Sequence, residues 1–471
     1  MSDVPRTLPR VEKDSGNSFG GTVAGGNTSF SHLDGRSLSA LEGKAAPALS
    51  LRVLALLVVL YAGLGKTFSY AGVGSLYIGE VALLLTTALV FLRCRFTVSG
   101  MRGFPLLIAS TLGVFQIVTQ LTNGAPPREA LRNFAVIYYV WFAVLAYAAM
   151  QGQAESASPS LRQMRRLGTA VLMILTAATV IHFTLGASLP LLPGAGVPIL
   201  SYKPTDAGLV LLVLLALWLR QALPTWAIAL IVPQLVVAVA VSRSTLLCAI
   251  VVLVLVGRRS PRILKFVGAS VLAVLLLTIA NPTFVVNSRE VSIRQIQVNA
   301  LSVVTSNNAQ SSDQSLSDNK GFRLRWWRGI VDDASSLDAV FSGDGWSTNL
   351  ADKYGFQTSY GSQSELRNPH NVFIGLVGRA GWLVAGSYLF FMLTFVWRGL
   401  RCLRLSLSTD ELVAIEVALV VATGGIINGA TDVYMESPQN AIPYWIIIGV
   451  GSFHLTQLQR RQAVCARTVA R

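Results

Sequence analysis

Charge is what this chain has least of. Asp, Glu, Lys and Arg make up 13% of its 471 residues, against roughly 25% in an ordinary soluble domain. So little charge cannot cover a soluble surface. Acidic residues are the scarcer sign, 23 against 38 basic ones. The resulting net charge of +15 is not a nucleic-acid footprint, because most Arg and Lys fall in short segments between apolar runs, where basic residues set membrane topology. Cysteine is limited to Cys94, Cys248, Cys402 and Cys465. No two have metal-ligand spacing and none falls in a segment expected outside the cytoplasm, which excludes a disulfide framework and a cysteine metal site. His32, His182, His370 and His454 lie far apart, which argues against a local metal motif. The N-terminal stretch lacks an early apolar run, so an ordinary signal peptide is not expected.

Apolar residues are abundant: 52% of the chain, with a mean hydropathy of +0.56. Apolar runs recur from Leu51 to Leu455. This pattern predicts an all-α polytopic membrane protein, because backbone polar groups in lipid must be satisfied within each segment. Residues 1–48, rich in Gly, Ser, Asn and Asp, read as a disordered cytoplasmic tail. Expected spans are Leu51–Gly65, Leu76–Leu92, Phe104–Leu121, Leu131–Met150, Leu167–Leu185, Ala207–Leu219, Trp226–Val241, Ser244–Val256 and Ile263–Ala280. A large outer loop over 281–371 follows, then spans Val372–Trp397, Leu412–Gly429 and Ala441–Thr456, and a short cytoplasmic tail from 458.

The count of about twelve rests on residues 206–256. Ser242, Arg243 and Ser244 interrupt an apolar stretch there. Reading two spans across it puts the clusters Arg93/Arg95/Arg102, Arg162/Arg165/Arg166, Arg258/Arg259/Arg262/Lys265 and Arg398/Arg401/Arg404 on one side, with Arg460 and Arg461. Reading one span sets early clusters against late ones. The positive-inside rule selects two, with both termini in the cytoplasm. The loop between the ninth and tenth spans is then extracytoplasmic. Its run "TSNNAQSSDQSLSDNK" is expected to be mobile, and "GFRLRWWRGIVDDASSLDAVFSGDGW" to be helical and then to turn.

With sidedness set, basic residues on the outer face become the anomaly: Lys66, Arg128, Arg132, Lys203, Arg243, Arg289, Arg294, Arg323, Arg325, Arg328, Arg367 and Arg379. Arg289, Arg294 and Arg367 read as solvated or in contact with lipid headgroups. Arg243 does not, since it sits between two apolar runs with no soluble loop around it. Guanidinium groups suit a diphosphate because they are planar, permanently charged and bidentate. His370 is the natural partner, an imidazole able to take a proton from a hydroxyl. Pro369 disfavours helix at Asn368, so a helix is expected to begin near His370 or Asn371. The alternative is a plain polar cap on a membrane helix.

These residues carry a resemblance. "SRS" at Ser242–Ser244, Arg323 four residues before Trp327 in "RLRWW", "GDG" at Gly343–Gly345 and "HNVFIGLVGRAG" from His370 to Gly381 together resemble the O-antigen ligase and O-antigen polymerase superfamily of bacterial inner-membrane glycosyltransferases. The order of the pieces carries the likeness, which covers roughly 233–395. Asp344 in the middle of the Gly-x-Gly, and Arg379 where an acidic residue is common, depart from the family pattern.

The resemblance implies transfer of an oligosaccharide from an undecaprenyl-diphosphate carrier to an acceptor sugar hydroxyl, either another glycan or lipid A–core, with no nucleotide and no metal. His370, Arg243 and Arg323 are the implied catalytic residues. Substrate-binding candidates are Arg128, Arg132, Lys203, Arg325, Trp327, Asn371, Asp432 and Glu436. For Asp432 and Glu436 a solvated loop is the bland alternative. Glu80 in "YIGE" reads equally as a helix–helix hydrogen bond, and Glu416 and His182 as buried polar contacts. "GE" at Gly79–Glu80 and the departures favour a polymerase over a ligase. A competing class is a secondary transporter or lipid-linked sugar flippase, against which stand the long outer loop and the lack of similar halves.

Overall fold

The computed structural model describes residues 36–469 except 74–75, 94–100, 102, 153–160, 193–197, 201–202, 281–283, 287–288, 292–295, 297–313, 358–365 and 406. Most of the expected N-terminal tail (1–35), Cys94, Arg294 and part of the expected mobile run therefore lie outside the described residues. Residues 43–471 make up one compact unit.

The unit is built of helices. They are α1 Arg36–Leu64, α2 Ile78–Arg93, α3 Phe104–Thr122, α4 Pro127–Tyr138, α5 Trp141–Gln151, α6 Leu161–Leu185, α7 Pro204–Leu219, α8 Ala227–Val241, α9 Arg243–Leu255, α10 Ile263–Ala280, α11 Gln314–Asp333, α12 Val372–Ala380, α13 Trp382–Cys402, α14 Thr409–Gly429 and α15 Pro438–Val469. Among the described residues, two small antiparallel hairpins accompany them, pairing Gly72–Val73 with Leu76–Tyr77 and Phe284–Val286 with Arg289–Val291. Among the described residues, six helical segments are long and apolar enough to cross a membrane: Phe104–Thr122, Pro127–Gln151, Leu161–Leu185, Trp382–Cys402, Thr409–Gly429 and Pro438–Thr468. Shorter apolar helices cover Leu49–Leu64, Ile78–Leu92, Pro204–Leu219, Ala227–Val241 and Ile263–Leu276.

Several boundaries differ from the sequence expectation. α1 starts at Arg36 rather than near Leu51, since Ala, Leu, Glu and Lys between them are good helix formers. α11 begins at Gln314, inside the run expected to be mobile. The single span expected over Val372–Trp397 is two helices, α12 and α13, with Gly381 between them.

The chain reverses at Ser242. At one end, Thr245 at the start of α9 lies against Gly208 in the second turn of α7. At the other, Ser260 donates to the Leu219 carbonyl (2.6 Å) and Arg262 to those of Trp218 and Leu223 (2.9 Å each). α8 and α9 therefore run in opposite directions. Ser242 makes the turn possible, with extended backbone and a side chain that caps α9 by accepting from Thr245 N (3.3 Å).

Small residues let the inner helices approach closely. A Cβ on Gly449 of α15 would lie 2.3 Å from the Ala143 carbonyl oxygen and 2.8 Å from Ala146 Cβ, both on α5. In lipid, where apolar contact with solvent gives no driving force between helices, such close approach is what holds a bundle together. α5 is buried almost throughout.

The segment after α10 docks onto the bundle instead of standing clear of it. Trp326, Ile330, Trp346 and Leu350 are fully buried. The Trp346 ring meets Phe134 edge-on at 5.2 Å, while the Trp346 backbone N–H donates to Gln120 Oε1 (2.7 Å) and its backbone carbonyl accepts from Asn133 (2.7 Å). "GDG" forms the seat. Asp344 N donates to Gly378 O (2.7 Å) and Gly345 N to Arg379 O (3.1 Å). A Cβ on Gly343 would lie 2.5 Å from Gly378 O, and Gly345 has φ 100°. Gly343 excludes a larger residue by clash with backbone, and Gly345 by a backbone conformation that favours glycine. Asp344 is held by Lys353 and Tyr354, which also grip Asp333 (2.5 and 2.9 Å).

Candidate active site

Three chain segments meet beside α12. The first is Leu366–His370, leading into the helix. Asn371 is the N-cap of α12, its side-chain oxygen accepting from Phe373 N (3.0 Å) and Ile374 N (3.1 Å). This fixes where the helix begins and leaves His370 just outside it at φ 53°. A positive φ outside glycine is strained and concentrates at functional positions. The cost is offset by the neighbouring contacts, since Trp327 Nε1 on α11 donates to the Pro369 carbonyl at 2.6 Å.

The second segment is the connection from α14 to α15, residues 430–437. His370 Nδ1 lies 3.5 Å from Asp432 Oδ1, and about a third of each side chain is exposed (31% and 33%). Arg323 Nη1 donates to the carbonyl of Thr431 at 2.9 Å. Arg323 and Trp327 are four residues apart on α11, hence on one face of it. That face holds both the turn carrying His370 and the loop carrying Asp432.

The third segment is the start of α7. Lys203 Nζ lies 3.4 Å from Asp432 Oδ2 and 3.3 Å from Asp206 Oδ1. Burial pushes the Asp432 carboxyl up. The His370 contact, Lys203 and the Val433 N–H outweigh it and hold Asp432 well below the usual carboxylate range. Burial pulls Lys203 down, and Asp206 and Asp432 more than restore it, so that it ends above the usual lysine value.

Glu436 sits differently. Its carboxylate is 9% exposed and lies 3.6 Å from Arg379 Nη1, which is 2% exposed. Arg379 Nη2 also donates to the Asn368 side chain and to the Arg367 carbonyl (3.3 Å). Burial lifts the Glu436 carboxyl above its ordinary value despite the attraction of Arg379, His370 and Arg132. Glu436 and Arg379 thus tie the loop to α12 from within. The outer-face Arg379 of the sequence reading is a buried ion-pair member, and Arg367 is half-buried beside it.

The remaining candidates are dispersed around this core. Arg243 opens α9 at the Ser242 turn. That turn lies at the same end of the bundle, because Thr245 rests on Gly208 and Cys248 lies 3.8 Å from Gly424 O on α14. Arg128 and Arg132 are exposed on the first turns of α4, and Arg132 acts electrostatically on Glu436. Arg325 is exposed on α11. Asn371, Trp327 and Arg323 each make a polar contact with backbone. Among the described residues no group of three or more His, Cys, Asp and Glu side chains is placed to hold a metal ion.

No protein-family model matches this chain, and no curated protein matches it. The site therefore stands on its geometry: an imidazole backed by a carboxylate, that carboxylate balanced by an ammonium, and arginines on the surrounding elements.

Sequence reasoning missed the pairing of His370 with Asp432, 62 positions apart, and favoured a solvated loop for the latter. It also missed Lys203 as the counter-ion. The one local signal was Lys203 followed by Pro204 at the first helical position and Asp206 a turn later, a polar helix start beside long apolar runs. Glu80 makes the helix–helix contact that is one of its two readings: Tyr138 and Tyr139 hydroxyls donate to Oε1 at 2.9 and 3.2 Å.

Proposed function

We propose that the protein is a bacterial inner-membrane glycosyltransferase that moves an oligosaccharide from an undecaprenyl-diphosphate carrier to an acceptor sugar hydroxyl. The observation that carries this reading is the His370–Asp432 pair, held by Arg323 and Trp327 of one helix face. With Nδ1–H directed at Asp432, the lone pair of the ring lies on Nε2. That nitrogen takes the acceptor hydroxyl proton as the acceptor oxygen attacks the anomeric carbon. The bond from that carbon to the carrier diphosphate breaks, and its electron pair stays on the diphosphate oxygen. Arg243 and Arg323 stabilise the charge that grows there. Attack opposite the leaving group inverts the anomeric centre. The carrier diphosphate and a glycan or lipid A–core are the partners, in surface-polysaccharide assembly, with polymerase favoured over ligase.

In this reading the chain crosses the membrane about twelve times, with the site on the periplasmic face and both termini in the cytoplasm. The reversal at Ser242 supports two spans in place of one. At the bundle end opposite His370, Arg220 pairs with Glu416, Arg259 donates to Leu403 O (3.3 Å), Arg398 to Gln459 (3.1 Å), and Arg461 pairs with Glu411 (2.6 Å). A basic end of this kind is the cytoplasmic one.

The test is turnover by purified protein of a lipid-diphosphate oligosaccharide with a glycan acceptor, without an ion gradient. Transfer lost in His370→Ala supports the enzyme. One observation favours a transporter or flippase: the Pro127–Gln151 segment is broken at Tyr139–Val140 against the acidic Glu80, as discontinuous transporter helices are. Gradient-dependent movement of the lipid-linked sugar with no transfer would establish that class instead.

A further inference from the structure

Residues 334–342 join α11 to the "GDG" seat, and two large apolar side chains stand out from them. Leu337 is 85% exposed and Phe341 62%. Leu337 has helical backbone and leads into the turn Asp338–Phe341, so the two side chains, four residues apart, lie on one face. Single exposed apolar residues need no cause, but these two border a larger apolar surface. That surface is the outward stripe of α13, where Trp382, Phe390, Leu393 and Trp397 recur at helical spacing and are all exposed. Trp382, at the end of the stripe, donates its indole N–H to the Ala334 carbonyl (2.9 Å). On the other flank Gln116 of α3 donates to the carbonyls of Phe341 (2.7 Å) and Ala380 (3.0 Å), beside the exposed Phe115 and Val118.

Depth decides what these side chains meet. Trp397, with the Arg401 guanidinium 4.7 Å over its ring, marks the basic end of α13, as aromatic residues mark membrane interfaces. Trp382 is fifteen residues away, about 22 Å at 1.5 Å per residue. A hydrocarbon layer is about 30 Å thick, so one that begins near Trp397 extends past Trp382. Gln116 agrees, lying six residues, about 9 Å, short of the end of α3. Backbone at such a depth needs partners for its polar groups, and the chain supplies them. Besides the two carbonyls above, Val340 N donates to Leu337 O (3.1 Å), Ser342 N to Asp338 O (2.9 Å), and Ser336 Oγ accepts from Ala339 N (3.3 Å). Gly381, at φ 85°, admits the segment, since a Cβ there would lie 2.7 Å from Ala339 O. The break between α12 and α13 is the notch in which 334–342 rests.

We propose that residues 334–342 are a foot set into the leaflet nearest His370, with Leu337 and Phe341 among its acyl chains. The foot follows directly on α11, so the bilayer steadies the helix whose Arg323 and Trp327 grip the loops of Asp432 and His370. Nothing in this contact depends on the reaction at His370.

The test uses full-length protein in phosphatidylethanolamine–phosphatidylglycerol vesicles, carrying Cys94→Ser and Cys465→Ser and keeping the buried Cys248 and Cys402. A bimane is attached at Leu337→Cys, at Phe341→Cys or, as the aqueous contrast, at Asp352→Cys, an exposed position on Leu350–Lys353. Lipids spin-labelled on the acyl chain should quench bimane at 337 and 341 and not at 352. Iodide should do the reverse, with a quenching constant several-fold lower at 337 and 341 than at 352. Both sites are exposed, so cysteine there leaves the fold intact, which an unchanged Tm checks. Iodide quenching at 337 and 341 equal to that at 352 overturns the proposal, because the segment then stands in water. Protection from both quenchers also overturns it, because protein, such as a second copy of the chain, then covers the foot.

Discussion

At the scale of single residues, His370 is held in a conformation few side chains adopt, and its ring faces a carboxylate that stays ionised. Replacing His370 by Ala should lower transfer by roughly 10²–10⁴-fold, the usual contribution of a general base, measured as product formed per enzyme. Asp432→Asn keeps the shape and removes the charge. It should slow turnover and displace the acid limb of the pH–rate profile, whereas a merely structural role would leave that limb in place. The sign for stability follows from the depressed carboxyl. Its contribution is fully present above the unfolded value of 3.8 and is lost as pH falls through the lower folded value. The gap in Tm between wild type and Asp432→Asn should thus be constant from pH 8 to pH 5 and narrow only in stronger acid.

Elements, more than individual side chains, hold the site in register. α11 grips two loops through Arg323 and Trp327, and "GDG" seats the same segment on the end of α12. Gly343→Ala forces a Cβ into backbone and should cost about 1–3 kcal/mol, read as a lower Tm and faster proteolysis of the docked loop. Trp346→Ala, at a fully buried indole, should cost about 3–5 kcal/mol. The glycines and the Arg–Trp spacing are visible in the sequence, because steric exclusion and helical period are local properties. What they seat against is not. Gly378, Phe134 and Asn133 are distant in the chain, and nothing local in "GDG" names them.

On the scale of the whole molecule, the two ends of the bundle are chemically distinct. Arg220 and Glu416 form a bidentate pair at the end opposite His370, with Glu416 1% exposed. Glu416→Gln leaves a largely buried guanidinium with a weaker partner and should destabilise by about 3 kcal/mol, visible in thermal unfolding. The double change Arg220→Leu with Glu416→Leu should recover much of that loss. Cys465 is exposed on α15. In a Cys94→Ser background it should resist a membrane-impermeant maleimide in intact cells and react once they are opened, as the proposed cytoplasmic C-terminus requires; labelling of intact cells would reverse the proposed topology.

Composition by itself determined that the chain is a helical membrane protein, because low charge and recurring apolar runs leave a backbone in lipid no other way to satisfy its polar groups. Local spacing determined the helix start at Asn371, since caps and prolines act within one turn, and the distribution of basic clusters along the chain selected the break at Ser242. Tertiary structure alone decided that His370 meets Asp432, that Lys203 balances it, that Arg379 is buried against Glu436, and that one span became α12 and α13. Those contacts join segments tens to hundreds of residues apart. Their energy comes from desolvation and packing among helices, which no short stretch of sequence encodes.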